Sequence, residues 1–276
     1  MGFVDVSIEA VRKFWDDRPC NVRHSEIDID ADPLGYSIEV SMRRHFVEPH
    51  WPRFLDYERW RGKRVLEIGC GIGTDAIEFA LAGARVTAMD LSSRSLEIAL
   101  KRAGAHGLNI EFVLGDAEEL PCYLEPRSYD LVYSVGVLHH TPHPERAVRV
   151  IRDYYMRPGS VLKLMLYHRW SWKVFWIIAG FGRCQFWKLD ELVAKYSEAQ
   201  TGCPVTYTFT RESARKLLRG FCVKSTSVDF IFPYRIPDYI EHRYVKEWYW
   251  RWMPGCIFRW LERRIGWHLL IEAKKR

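Results

Sequence analysis

Val65-Leu66-Glu67-Ile68-Gly69-Cys70-Gly71-Ile72-Gly73-Thr74-Asp75 is a short apolar run that ends in three alternate glycines and opens a helical pattern. Glycines at such a turn permit positive φ and let the backbone approach a ligand where a side chain would collide. The helix that follows begins with unpaired amides. The spacing is GxGxG, with Thr74 standing where a dinucleotide-binding turn would place its last glycine. Glu67, at the end of the strand, would repel a pyrophosphate and suits a ligand that carries an amine or another cation.

Outward from this turn the chain alternates short apolar runs with longer helical segments. The pattern predicts strands at Arg64–Ile68, Arg85–Met89, Ile110–Leu114, Tyr129–Ser134 and Val161–Tyr167. Helices are expected at Thr74–Ala82, Arg94–His106 and Glu145–Tyr155, then at Arg211–Arg219. Cys222–Phe230 and the terminal HLLIEAKK read as two further strands. Repeated β-α units imply an α/β fold with a mostly parallel sheet covered on both faces. Upstream, residues 7–16 have helical spacing. Pro19, Asn21, Asp32, Pro33 and Gly35 read as loop, and Ile38–Tyr57 reads as a helix broken by Pro49 and Pro52.

Asp90 closes the second strand about 20 residues after the glycines, the position from which a carboxylate accepts hydrogen bonds from both hydroxyls of a ribose. Leu91 beside it would cover the face of a base, and Asp116, after the third strand, would receive an exocyclic amine. The run from about Val65 to Tyr167 resembles the class I S-adenosylmethionine-dependent methyltransferases, in particular the branch with ubiquinone- and menaquinone-biosynthesis and small-molecule enzymes. The resemblance rests on EIGCGIG at 67–73, Asp90, GDAEELP at 115–121 and YDLVYSVGVLHH at 129–140. It implies a doubly wound, Rossmann-like seven-stranded sheet whose last strand is antiparallel and slotted beside the fifth. It further implies that Glu67 with Gly69, Gly71 and Gly73 holds the methionine part of the cofactor and Asp90 its ribose. Asp116 and Ala117 would meet the adenine edge, and Ser134 would line the methyl-donor pocket. About the acceptor it is nearly silent.

Methyl transfer needs an in-line nucleophile more than acid–base machinery, so positioning carries most of the rate. A base is needed only for an acceptor that arrives protonated. His139 and His140, in the loop after the fourth strand, are the candidates. Tyr167 and His168, at the end of the fifth, would orient an acceptor or simply be a satisfied polar strand end. His139, His140 and His143 do not suit a metal, because adjacent histidines point apart and no carboxylate or cysteine completes a set. The loop lacks the Asn-Pro-Pro-Tyr or Asp-Pro-Pro-Tyr motif of many nucleobase amino methyltransferases. Basic residues are dispersed rather than gathered in a stripe, so nucleic acid is a disfavoured substrate.

In a chain of 276 residues, 48% hydrophobic and 28% charged, a large core is expected without staples. Seven scattered cysteines, among them Cys184, form no CxxC pair, which fits a reducing cytosol. The N-terminus has neither a secretory pattern nor, with Val6, a myristoylation one. The longest apolar stretch, Val174–Gly182, is far short of the ~20 residues a spanning helix needs. Two segments interrupt the alternation, 170–209 and 233–265. Both are rich in Trp and Tyr, and both are expected to form a cap over a methyltransferase domain at 61–276, with residues 1–60 as a helical lid. Basic residues interleave with the aromatics of 240–264, and the formal net charge is +6, which suits an apolar acidic acceptor or peripheral contact with a membrane. The reading is an enzyme that methylates an O, N or C atom of a small-molecule or lipid-like acceptor. Its alternatives are a catalytically silent cofactor-binding partner and an RNA or DNA methyltransferase.

Overall fold

The computed structural model describes residues 3, 5–182, 185–197 and 202–276; Cys184 lies outside them. Seven strands make one sheet: β1 (Arg64–Ile68), β2 (Arg85–Asp90), β3 (Glu111–Leu114), β4 (Tyr129–Val135), β5 (Met156–Tyr167), β6 (Phe221–Asp229) and β7 (His268–Lys275). Their order is β3-β2-β1-β4-β5-β7-β6, and β7 runs antiparallel to both of its neighbours. Each expected strand is present within a few residues of its expected ends.

Alternation along the inner strands divides the core into two layers, as successive side chains leave opposite faces. Val65, Leu131 and Tyr133 pack with Leu55, Trp60 and Phe79 on one face. Leu66, Ile68 and Val132 pack with Leu120, Val148, Ile151 and Tyr155 on the other. The helices are α1 (Ile8–Asp17), α2 (Pro33–Val47), α3 (Trp51–Leu55), α4 (Thr74–Leu81), α5 (Ser93–Ala105), α6 (Pro144–Val150), α7 (Trp172–Trp176), α8 (Leu189–Tyr196), α9 (Arg211–Leu217), α10 (Ile236–Ile240), α11 (Trp248–Arg251) and α12 (Gly255–Ile265).

Three local expectations are corrected. Asp32, Pro33 and Gly35 do not lie in a loop. Asp32 caps α2 by accepting the Gly35 amide at 2.8 Å, and Pro33 occupies the first turn, where its missing N–H costs nothing. The helix expected to reach Tyr155 is α-helical only to Val150 and closes in a wider π turn over Ile151–Tyr155. β5 starts at Met156 rather than Val161, because Pro158 and Gly159 sit in an irregularity of the β4–β5 pairing. The Ser160 hydroxyl pins that irregularity by donating to the Tyr129 carbonyl at 2.6 Å.

One buried cation ties the glycine turn to the helices above it. The Arg102 side chain, on α5, is fully buried and donates to the Ile72 carbonyl at 2.7 Å, to Thr74 Oγ1 at 2.9 Å and to Ser37 Oγ at 3.2 Å. Burial lowers its pKa to about 10, so it stays charged at neutral pH.

Candidate active site

A cleft lies at the carboxyl ends of β1, β2 and β4 and the loop after β3, where ligands bind in open α/β sheets. It is lined by Glu67, Gly69, Gly71, Asp90, Leu91, Asp116, Ala117 and His140, so most of the residues singled out in the sequence converge on one place.

The turn after β1 needs its glycines for three different reasons. Gly69, Gly71 and Gly73 all have positive φ, at +77°, +53° and +77°. A Cβ on Gly69 would collide with the methyls of Val137, which close over the turn from the loop after β4. A Cβ on Gly73 would stand 3.0 Å from that of Ala99, so this glycine serves the packing of α4 on α5 and not the cleft wall. Gly71 is different: a Cβ there would meet nothing within 4 Å. That open position is the cradle a ligand would fill.

Glu67 is buried, and the Tyr133 hydroxyl behind it is its hydrogen-bonding neighbour. Burial, reinforced by the Asp75 carboxylate, holds its pKa well above the usual carboxylate range. A buried carboxylate in a cleft lining is costly to keep charged unless a cationic ligand group pairs with it. Asp90 is anchored from behind. Its Oδ2 accepts the Gly71 amide at 2.7 Å and its Oδ1 accepts the Ser92 amide at 2.8 Å. These bonds fix the carboxylate at the cleft edge and still leave lone pairs to offer. Burial raises its pKa, opposed by the same amides. Asp116 Oδ1 accepts the Glu118 amide at 2.9 Å, which orients the other oxygen.

Other sequence candidates stand outside the lining. Ser134 is buried and donates to the Ile68 carbonyl at 3.0 Å, bracing β4 against β1. His139 sits behind the wall, fully buried, with its ring 3.7 Å from that of Tyr167. Burial, then the neighbouring His140, keeps it neutral. Tyr167 is itself sandwiched by Trp267 at 4.0 Å, and His168 Nδ1 is 3.1 Å from the Gly266 carbonyl. Of the two loop histidines only His140 reaches the cleft. Its Nδ1 lies 2.8 Å from the Val205 carbonyl, which places the ring proton there and makes Nε2 the basic nitrogen. Among the described residues no three His, Cys, Asp or Glu side chains are grouped to hold a metal.

The sequence puts Trp15, Tyr36, Arg43, Arg44 and His45 in an N-terminal lid but does not orient it, and of these Trp15 and Arg44 line the cleft. Arg44, on α2, lines it and donates to Asp75 Oδ2 at 2.7 Å, while Tyr57 donates to the other Asp75 oxygen at 2.8 Å. Ile8, Val11 and Trp15 on α1 form the opposite wall. Trp15 meets the His140 ring edge-on at 5.2 Å. Periodicity alone marks these positions as a helix face, and nothing in their spacing says which face meets the sheet edge.

Residues 65–159 match the family model described as a methyltransferase domain. This stretch is a methyltransferase domain. Curated relatives align over this part. The ubiquinone biosynthesis O-methyltransferase of Chromobacterium violaceum is 36% identical over 117 residues, covering 42% of this chain and 50% of the relative. That of Bordetella parapertussis is 40% identical over 88 residues, covering 32% and 36%. The chain thus spans half or less of the length of these relatives. Among solved structures, magnesium protoporphyrin IX methyltransferase of Synechocystis with bound SAH is similar over 98% of this chain and 100% of that one, with TM-score 0.58 and 17% identity. The [4+2]-cyclase SpnF is similar over 96% and 94%, with TM-score 0.56 and 20% identity. At these identities the likeness is one of fold, and the two names show that the methyltransferase domain fold hosts different chemistries.

Proposed function

We propose that the chain binds S-adenosylmethionine in this cleft and transfers the methyl group to an O, N or C atom of a small-molecule or lipid-like acceptor. The observation that carries the proposal is the buried Glu67 carboxylate in the cleft lining beside the open space over Gly71. An amino acid ammonium would pair with that carboxylate, and Arg44 would meet the ligand's own carboxylate. Asp90 would hold the ribose hydroxyls, Leu91 the adenine face, and Asp116 with Ala117 the adenine edge. The cofactor supplies an activated methyl on a sulfonium. The protein's part is to align the acceptor and exclude water, with His140 Nε2 as base for an acceptor that arrives protonated. The lid of the N-terminal segment is α1, whose Ile8, Val11 and Trp15 line the cleft, while Leu55 and Trp60 at the segment's end belong to the core. The domain works peripherally to a membrane; no helix among the described residues is long and apolar enough to cross one.

Calorimetric titration with S-adenosylmethionine and S-adenosylhomocysteine tests the cleft assignment, and absence of binding by both would overturn it. Formation of S-adenosylhomocysteine in a metabolite extract then tests turnover. Binding without turnover would favour the silent partner, and salt-sensitive nucleic-acid binding the modification of RNA or DNA.

A proton accompanies the ligand. Burial raises the Glu67 pKa in the free protein, and an ammonium beside it favours the charged form. Binding is therefore expected to release a proton between the lowered pKa of the complex and the raised one of the free protein. Affinity should rise with pH across that window and level off above it. Calorimetry in buffers of different ionisation enthalpy reads the release directly. A Glu67→Gln variant should show none, and buffer-independent heats in the unsubstituted protein would remove Glu67 from the site.

A further inference from the structure

We infer that the aromatic cap is a docking face for an anionic bilayer. The inference rests on the proposed lipid-like acceptor only for its purpose, not for its geometry. α12 leaves large apolar side chains outside that an ordinary surface helix would cover. Glu262 faces inward, buried, accepting from Arg259 at 2.8 Å and lying 3.5 Å from the Ile231 amide. Ile257 and Trp260 face outward, 47% and 55% exposed. α12 thus carries apolar side chains on two sides, Phe258, Leu261 and Ile265 half-buried with Glu262 and Ile257 and Trp260 left to the outside, which is more apolar surface than the core takes up.

α11, packed on α12 through Trp250 and Phe258 at 5.2 Å, exposes two more indoles. Trp248 is 74% exposed and Trp252 79%, values a soluble surface rarely gives to indoles. The two insertions are one body, because Trp172 of α7 packs on Trp250 at 5.3 Å and on Tyr249 at 6.1 Å. Phe175, on α7, adds a ring 56% exposed.

Charge selects the occupant. Residues 246–265 carry five basic side chains against two acidic ones, and one of those two, Glu262, is buried and paired with Arg259. Guanidinium groups lie beside the exposed rings, with Arg251 5.5 Å from the centre of Trp252 and Arg264 5.0 Å from that of Trp260. Indoles under cationic heads match the headgroup boundary, where rings enter the acyl edge and cations meet lipid phosphate and carboxylate. A second copy of the chain would present the same positive charge to itself.

Topology sets the face next to the chemistry. β5 and β6 end, and β7 begins, at the end of the sheet that bears Glu67 and Asp90, so both insertions leave from the same end of the sheet as the cleft. A bilayer under this face would lie at the end of the sheet where the cleft opens.

Co-sedimentation of the full chain with phosphatidylcholine vesicles, and with vesicles of phosphatidylcholine and phosphatidylserine, tests the inference. Binding is expected with the anionic vesicles and should be lost at about 1 M salt, where charges are screened within ~3 Å. Arg251→Gln, Arg263→Gln and Arg264→Gln should each weaken it about fivefold, and together about a hundredfold. The triple variant Trp248→Ala, Trp252→Ala, Trp260→Ala should stay in the supernatant while S-adenosylmethionine affinity is unchanged, which controls for folding. Three results would overturn the inference: supernatant with both vesicle types at low salt, equal binding by the triple tryptophan variant, or a dimer in sedimentation analysis that the same variant abolishes. Failure of the cofactor reading is separate, as it would leave vesicle binding intact and remove only the heat of titration.

Discussion

A Gly71→Arg protein should fold and no longer bind S-adenosylmethionine. The φ of +53° is one that a non-glycine residue adopts at about 1–2 kcal/mol, a tolerable loss against a typical stability of about 5–15 kcal/mol. Nothing within 4 Å meets the new Cβ, so the remainder of the side chain has one way to go, into the cleft. There it occupies the space over Gly71 and offers Glu67 a rival cation. Loss of at least about a thousandfold in affinity, roughly 4 kcal/mol, is expected. Gly71→Ala isolates the backbone strain from the bulk, and should cost less than about tenfold. Calorimetry measures both, with thermal melting as the check on folding. Undiminished affinity in Gly71→Arg would move the cofactor out of this cleft.

Asp90→Ala should damage fold and site together, and the two effects are separable. In the fold, the amides of Gly71 and Ser92 lose the oxygens that accept them at 2.7 and 2.8 Å. A buried donor left unpaired costs about 1–3 kcal/mol. The variant should therefore be about 2–4 kcal/mol less stable, and melt about 5–10 °C lower at the scaling expected for a domain of this size. In the site, two charge-assisted hydrogen bonds to ribose hydroxyls disappear. At about 1.5–3 kcal/mol each, affinity should fall more than about a hundredfold. Asp90→Asn keeps one acceptor and should fall between. A variant that melts low yet binds normally would show Asp90 to be a brace for the turn and no part of the ligand site.

The sheet was readable because its signals are local. Val65, Leu66 and Ile68 alternate between two packed layers, and glycines and aspartates mark the strand ends where the cleft opens. The parts that escaped reading are set by contacts across the chain. Arg44 meets Asp75 from a helix that the sequence places before the domain, and Arg102 braces the glycine turn from the far side of α5. Neither pair has a spacing rule. His139 and His140 are neighbours with equal claims on paper, and only the turn at Leu138–His140 decides that one ring joins the cleft wall and the other the core. Tyr167 and His168 were placed at the right strand end, but stacking on Trp267 and a bond to the Gly266 carbonyl hold them in the packing behind the wall.

The reversed seventh strand has a consequence for how such a domain can change its substrate. Asp229 at the end of β6 and His268 at the start of β7 are paired partners across the sheet edge. Everything from 230 to 267 is therefore an excursion whose two ends already touch. Such a segment can be shortened, lengthened or exchanged for another without moving a strand, while the carboxylates of β1 and β2 stay three and four strands away. If this excursion selects the acceptor, that choice and the cofactor grip lie on separate pieces of chain. A chimera that trades this excursion tests one without disturbing the other.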